Sequence, residues 1–123
     1  MNGVNLIADT NVLIKLGQGN QQIAGLLTHK DISIPVITEM EILGVKEISE
    51  TEINIRETAI EFCSIIPFTN KIKNKAILIK RQIKIPLPDA IIAATAIEEG
   101  LILVTADKGF KRIKDLQLIL IEV

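Results

Sequence analysis

Five short apolar runs are spaced along the chain, and each has the length and composition of a buried β-strand. The runs are rich in Ile, Leu and Val and do not alternate with polar residues, a pattern typical of strands covered on both faces. The predicted strands are residues 4–8, 32–34, 65–66, 101–105 and 116–122.

Between these runs, apolar residues recur at helical spacing behind residues that favour helix ends. Asp9 and Asn70 are predicted N-caps, and Ser49 with Glu52 has the spacing of a capping box. The helix after Ser49 is expected to direct Phe62 toward the core. The predicted helices follow Asp9, span 20–29, run from Thr38 to Gly44, follow Ser49, follow Asn70, and run from Pro88, at the first helical position, to Gly100.

The order of these elements indicates an α/β fold. Strands alternate with helices throughout, which predicts a parallel sheet with helices packed on both faces. At 123 residues the chain has the length of one domain, and no linker, repeat or low-complexity segment divides it. We therefore expect a single domain over residues 1–123.

Composition excludes several classes of protein and of site. Hydrophobic residues make up 48% and charged residues 24% of the chain, which is the range of globular domains. No apolar run approaches the roughly 18 residues of a membrane span, and the N-terminus lacks the pattern of a signal peptide. His29 is the only histidine, which excludes histidine-based metal clusters, and the absence of Trp and Tyr argues against base stacking. Cys63 is the only cysteine, so we expect no internal disulfide and a cytoplasmic location.

The net charge of −1 conceals an uneven distribution. Residues 1–61 hold four basic and nine acidic residues, whereas residues 62–123 hold ten basic and six acidic residues. A phosphate backbone would bind to clustered basic residues, although a solvated helix face has the same pattern. The two basic clusters are Lys71, Lys73, Lys75, Lys80, Arg81 and Lys84, and Lys108, Lys111, Arg112 and Lys114.

Four carboxylates are predicted to meet at the carboxyl edge of the sheet, where sites in open α/β sheets lie. Asp9 directly follows the first strand, one residue separates Asp107 from the fourth strand, and Asp89 opens the helix before that strand. Glu41, with Glu39 nearby, lies in the helix after the second strand. Clustered carboxylates repel one another unless a cation neutralises them. Oxygen ligands alone favour Mg²⁺ or Mn²⁺ over zinc.

Carboxylate-held Mg²⁺ can activate water for attack on a phosphodiester. Together with the basic clusters, the acids predict hydrolysis of a nucleic acid whose base sequence is largely unread. Each acid also has a structural explanation, Asp9 as a helix cap, Asp89 as a favourable charge at a helix start and Asp107 as a turn residue. Glu39 and Glu41 could be solvent-facing helix residues. None of these explanations accounts for the shared edge.

Three segments of the sequence resemble the PIN-domain ribonucleases, and within them the VapC-like toxins of toxin–antitoxin pairs. The resemblance extends over most of the chain in the same order, and residues 46–70 hold no motif. The segments are LIADTNVLIKL from residue 6, VITEMEILG from residue 36, and IPLPDAIIAATAIEEGLILVTADKGF from residue 85.

The resemblance implies a three-layer α/β/α PIN fold and an Mg²⁺- or Mn²⁺-dependent endoribonuclease. The partners it implies are an RNA substrate, a cognate antitoxin that covers the groove, and a second copy of the chain in a homodimer. Glu39 does not match the family's glutamate. The residues that match are the metal-binding and catalytic acids Asp9, Glu41, Asp89 and Asp107, and the supporting polar residues Asn11 and Thr105.

Two other interpretations stay open, and two more fit the residues poorly. The chain could be a housekeeping RNA-processing PIN nuclease without an antitoxin, or a catalytically silent PIN-fold module that only binds. A phosphoacceptor receiver domain needs an Asp after the third strand, where the chain has SIIPFTN. A haloacid-dehalogenase-like phosphatase needs an Asp two residues after Asp9, where the chain has Asn11.

Overall fold

A parallel five-stranded sheet forms the centre of the fold in the computed structural model, which describes residues 5–122. The strand order is β3-β2-β1-β4-β5, so β1 lies between β2 and β4. All five predicted strands and their parallel arrangement are confirmed; residue 4, predicted in the first strand, lies outside the described residues. The strands are β1 (Asn5–Ala8), β2 (Asp31–Pro35), β3 (Cys63–Ile66), β4 (Ile102–Thr105) and β5 (Leu118–Leu120).

Within residues 5–122, six α-helices and one 3-10 helix connect the strands. None of these helices is long and apolar enough to cross a bilayer. The helices are α1 (Thr10–Gly17), α2 (Gln21–Leu27), α3 (Val36–Leu43), α4 (Glu50–Glu61), α5 (Asn70–Gln82) and α6 (Leu87–Glu99), and the 3-10 helix is Lys108–Arg112.

Three predicted helix ends are confirmed. The Asp9 carboxylate accepts a hydrogen bond from the Val12 amide at the start of α1 (N to Oδ1, 3.0 Å). The Ser49 hydroxyl caps α4 by accepting from the Glu52 amide (3.0 Å). Gly100 ends α6 in the left-handed conformation (φ 68°), which a residue without a Cβ adopts at little cost.

Other predicted helix boundaries were wrong by one or two residues. α3 begins at Val36 rather than Thr38, because the extended Pro35 leads directly from β2 into the helix. α5 is capped one residue earlier than predicted, by the Thr69 hydroxyl rather than by Asn70, and this hydroxyl accepts from the Ile72 amide. α6 begins at Leu87, so the proline after it occupies the second helical position.

The prediction that Phe62 faces the core was also wrong, because its side chain is 78% exposed. α4 ends at Glu61, and Phe62 occupies the C-cap position before β3 begins. Phe62 therefore lies one residue beyond the end of the helix, and helical spacing does not determine the direction of its side chain.

Both faces of the sheet are covered at its central strands, as the apolar runs predicted, whereas Ser64 and Ile65 of the edge strand β3 are exposed. Leu6, Ala8 and Val104 pack against α1 and α2, whereas Ile7 and Leu103 pack against α5 and α6. A further cluster packs α1, α3 and α4 against β2. This is the three-layer α/β/α arrangement, and it leaves the carboxyl ends of the strands free to build a site.

Candidate active site

The carboxyl ends of β1 and β4 lie side by side at the point where the strand order reverses. From β1 the chain continues to β2 and β3 on one side, and β4 continues to β5 on the other. Side chains that follow these two strands therefore flank the crevice in which open α/β sheets bind ligands. Asp9 follows β1, and Thr105 ends β4.

Asp9 is a buried carboxylate, with 7% of its surface exposed. One oxygen caps α1, and the other accepts a hydrogen bond from the Thr105 hydroxyl. Burial raises the pKa of Asp9 above its ordinary value, and the nearby charges of Asp107 and Glu41 raise it further. The hydrogen bonds from Thr105 and Val12 act in the opposite direction by stabilising the ionised form.

Thr105 connects Asp9 to a second acid, Asp107. Its fully buried hydroxyl donates to Asp9 and accepts from the Asp107 main-chain amide (3.0 Å). Asp107 is itself exposed, and its Oδ1 accepts from the Gly109 amide (2.8 Å) at the start of the 3-10 helix. One threonine hydroxyl thus fixes the positions of two acids that follow different strands.

Asp89 and Glu41 approach the same edge from α6 and α3. Asp89 is half-buried in the first turn of α6, and burial, then the charges of Asp107, Glu41 and Asp9, raise its pKa. Glu41 is exposed, and its Oε1 accepts from the Thr10 hydroxyl (2.7 Å). The four acids predicted from the sequence therefore interact electrostatically at one edge of the sheet.

No basic side chain pairs with these acids within residues 5–122. The ion pair found in that part of the chain joins Arg56 to Glu52 in α4 (3.0 Å). No ion pair in the described residues therefore offsets the repulsion among the acids, which favours a bound cation or a cationic partner at this edge.

The chemistry of the donors fits a divalent metal ion, but the side chains are not closed around one. Among residues 5–122, no three carboxylate, histidine or cysteine side chains converge tightly enough to enclose an ion. Oxygens of Asp9, Glu41 and Asp107 accept hydrogen bonds from the protein instead. Rotation of exposed side chains would be needed to complete a coordination sphere of hard oxygen ligands.

Three other polar residues, Glu39, Asn11 and Thr10, have different relations to the four acids. Glu39 does not contribute to the raised pKa of Asp9 or Asp89, which agrees with its mismatch to the family pattern. Asn11 is exposed, and no hydrogen bond joins it to the four acids in the described residues. Thr10, for which no role in the site was expected, positions Glu41. This hydrogen bond joins α1 to α3, so no pattern of neighbouring residues in the sequence could predict it.

An open apolar groove lies away from the acids, on the face covered by α1, α2 and α4. Its volume is about 760 Å³, and Leu16, Leu27, Ile55 and Phe62 are among the residues that line it. None of the four acids lines this groove. It is therefore a separate surface, suited to apolar side chains of a partner rather than to phosphate.

Solved structures of similar fold include several toxin–antitoxin complexes. A chain of the toxin–antitoxin complex from Klebsiella pneumoniae is 30% identical, with 93% of this chain and 95% of that chain covered and a TM-score of 0.77. Chains of VapBC2 from Rickettsia felis and of DNA-bound VapBC from Salmonella typhimurium are each 22% identical, with TM-scores of 0.81. The alignments cover 94% of this chain and 98% and 97% of those chains.

Sequence comparison leads to the same family. No curated protein matches the chain at a significant level. The model of the PIN domain family, however, matches residues 6–116, a range that contains all four acids and the strands β1 to β4 except for Asn5, whereas β5 follows the matched range. The chain therefore belongs to the PIN domain family.

Proposed function

We propose that this chain is an Mg²⁺- or Mn²⁺-dependent endoribonuclease and the VapC-like toxin of a toxin–antitoxin pair, acting in the cytoplasm with one PIN domain over residues 1–123. The observation that supports the proposal most strongly is the set of four carboxylates at one sheet edge without a basic partner in the described residues. The family match and the similarity to toxin–antitoxin structures support the same assignment.

Asp9, Glu41, Asp89 and Asp107 would hold the metal ion. When bound, such an ion lowers the pKa of water and stabilises charge that develops on a phosphodiester. The protein contributes positioning: the Thr105 hydroxyl holds Asp9, and the Thr10 hydroxyl holds Glu41. Because the pKa of Asp89 is raised, acidification would protonate this carboxylate, and so weaken cation binding, at a higher pH than it would an ordinary aspartate.

A protein antitoxin is the partner that the comparisons support. The apolar groove between α1, α2 and α4 is a surface on which its apolar side chains would be buried. Cationic side chains of the same partner would form ion pairs with the four acids at the sheet edge. Such a partner would suppress cleavage by competing with the metal ion for these carboxylates.

RNA cleavage by purified variants tests the nuclease directly. Wild type, Asp89→Asn and Glu39→Gln are incubated with total RNA in Mg²⁺, Mn²⁺ or EDTA. Wild type and Glu39→Gln should cleave RNA with either ion and stop in EDTA. Asp89→Asn should lose more than the roughly 10- to 100-fold that follows loss of an outer partner of a metal site.

Glu39→Gln is a matched control because it removes a carboxylate from α3 without changing the acids that interact with Asp89. Full activity of Asp89→Asn, or undiminished cleavage in EDTA, would refute the metal-dependent mechanism. Absence of cleavage by wild type stripped of bound proteins in urea and refolded would favour the silent binding module.

A further inference from the structure

A second site lies between α5 and the turn that follows the 3-10 helix. The site is a pocket of about 220 Å³, and none of the four acids lines it. Ile79 and Ile113, both buried, form part of its wall. The polar residues around it are Lys75 and Gln82 from α5, Arg112 from the end of the 3-10 helix, and Lys114 and Asp115 from the turn.

This pocket unites the two basic clusters that are separate in the sequence. Lys75 belongs to the first cluster, and Arg112 and Lys114 belong to the second. Asp115 also lines the pocket, yet within residues 5–122 it forms no ion pair with any of the three. Three cationic side chains and one carboxylate leave the pocket with a net positive charge.

The basic side chains are available to a ligand to different degrees. Lys75 is half-buried, whereas Arg112 and Lys114 are exposed. Arg112 donates its Nε–H to the Gly109 carbonyl (3.2 Å), which fixes the guanidinium while its terminal nitrogens stay available. By contrast, Lys80 of the first cluster donates to the Ile85 carbonyl (2.7 Å), and this hydrogen bond stabilises the turn between α5 and α6.

The pocket is close to the acid edge through the 3-10 helix. A Cβ placed on Gly109 would lie 3.0 Å from Asp107 Oδ1 and 3.8 Å from an Arg112 terminal nitrogen, so the two atoms are less than 7 Å apart. A single RNA strand could therefore contact both with neighbouring phosphates. The pocket has no aromatic lining on which a base could stack.

We propose that this pocket binds a backbone phosphate of the RNA strand next to the phosphodiester that is cut at the acid edge. The proposal rests on the proposed nuclease function and adds a phosphate subsite formed by Lys75, Arg112 and Lys114. The subsite holds the strand without reading its bases, because positive side chains contact phosphates of any sequence alike. It also counteracts the repulsion that the acids exert on the RNA backbone.

Salt-dependent RNA binding tests the subsite. Lys75→Gln with Lys114→Gln removes two pocket charges. Lys73→Gln with Lys111→Gln removes two charges outside the pocket, one from α5 and one from the 3-10 helix that precedes Lys114. Each pair is placed in an Asp89→Asn background to prevent cleavage. Binding of a fluorescein-labelled single-stranded oligouridylate is followed by anisotropy from roughly 50 to 300 mM KCl.

The pocket pair should weaken binding about tenfold and reduce the slope of log K against log salt by about 0.7, the value for one single-strand phosphate. The control pair should change both quantities less. Equal effects of the two pairs, or no binding by the parent protein at any salt, would overturn the subsite. The exposed Lys114→Gln alone should show a smaller effect in the same direction and serves if the pocket pair unfolds.

Cleavage kinetics separate this proposal from the proposed function. In the wild-type background, the pocket pair should raise KM for RNA and leave kcat unchanged. If the Asp89→Asn parent binds RNA through the pocket but wild type does not cleave RNA, the nuclease assignment fails and the subsite stands. If wild type cleaves RNA and the pocket pair matches the control pair in KM, the subsite fails and the nuclease stands.

Discussion

Three buried threonines predict three different effects of the same substitution. Thr105, Thr95 and Thr38 are each at most 1% exposed, so Thr→Val removes a hydroxyl from a closed environment and leaves the shape nearly unchanged. Thr105 joins the Asp9 carboxylate to the Asp107 amide. Thr95 donates to the Ile91 carbonyl of its own helix (2.7 Å). Thr38 has no hydrogen-bond partner for its hydroxyl in the described structure.

The magnitudes follow from the bonds that each hydroxyl makes. Thr105→Val leaves a buried carboxylate oxygen without its donor, which costs about 1.5–3 kcal/mol, and deprives a partly buried amide of its acceptor, for about 3 kcal/mol in all. Thr95→Val should be neutral to within about 0.5 kcal/mol, because a helical carbonyl keeps its main-chain bond. Thr38→Val should stabilise by about 1 kcal/mol, because it removes an unsatisfied buried hydroxyl.

Urea unfolding in EDTA measures all three. A loss of about 3 kcal/mol corresponds to a midpoint shift on the order of 1 M or more, which is easily resolved. Thr105→Ser should recover most of the lost stability, because it restores the hydroxyl. Equal changes for Thr105→Val and Thr95→Val would show that the hydroxyl between the two acids does not hold the site together.

Three further predictions concern charge and reactivity. Asp89→Asn should stabilise the metal-free protein at neutral pH. The pKa of Asp89 is raised in the folded state, so between the ordinary value of 3.8 and the raised pKa the folded state binds more protons than the unfolded state. The stability of wild type therefore falls as pH rises through that window. Urea unfolding across that window should show the gain shrinking toward acidic pH, and a constant gain would contradict this explanation. Burial raises the pKa of the Cys63 thiol to about 11 from 9.0, so the folded protein should react with iodoacetamide roughly 100-fold more slowly than the unfolded protein near neutral pH. Mass spectrometry measures both rates, and similar values would place the thiol at the surface. Lys80→Met should destabilise the protein by about 1 kcal/mol through loss of the Ile85 bond, whereas Lys73→Met should not; equal unfolding midpoints would refute the role of that bond.

Features that depend on neighbours in the sequence were predictable. The apolar runs gave all five strands, and the left-handed Gly100 was expected at the end of α6 because a glycine followed a continuous helical pattern. The position of Asp9 was predictable for the same reason, since an acid between a buried strand and a helix both caps the helix and faces the sheet edge.

Features that depend on distant residues were not predictable in this way. The Thr105–Asp9 hydrogen bond joins residues 96 positions apart, and the Thr10–Glu41 bond joins residues 31 positions apart. The hydrogen bond from the Lys80 ammonium to the Ile85 carbonyl is likewise not predictable, because Lys80 lies in a run of similar basic residues. A sequence pattern places a residue on an element, but it does not state which oxygen or nitrogen its side chain meets.

The central claim is that the carboxylates at the sheet edge bind a divalent metal ion. Calorimetric titration of Mn²⁺ into EDTA-treated and dialysed protein tests it without RNA or an antitoxin. Wild type and Glu39→Gln should bind Mn²⁺ equally, and Asp89→Asn should bind at least about tenfold more weakly. Mn²⁺ binding that is unchanged by Asp89→Asn, or absent from wild type, would contradict the claim.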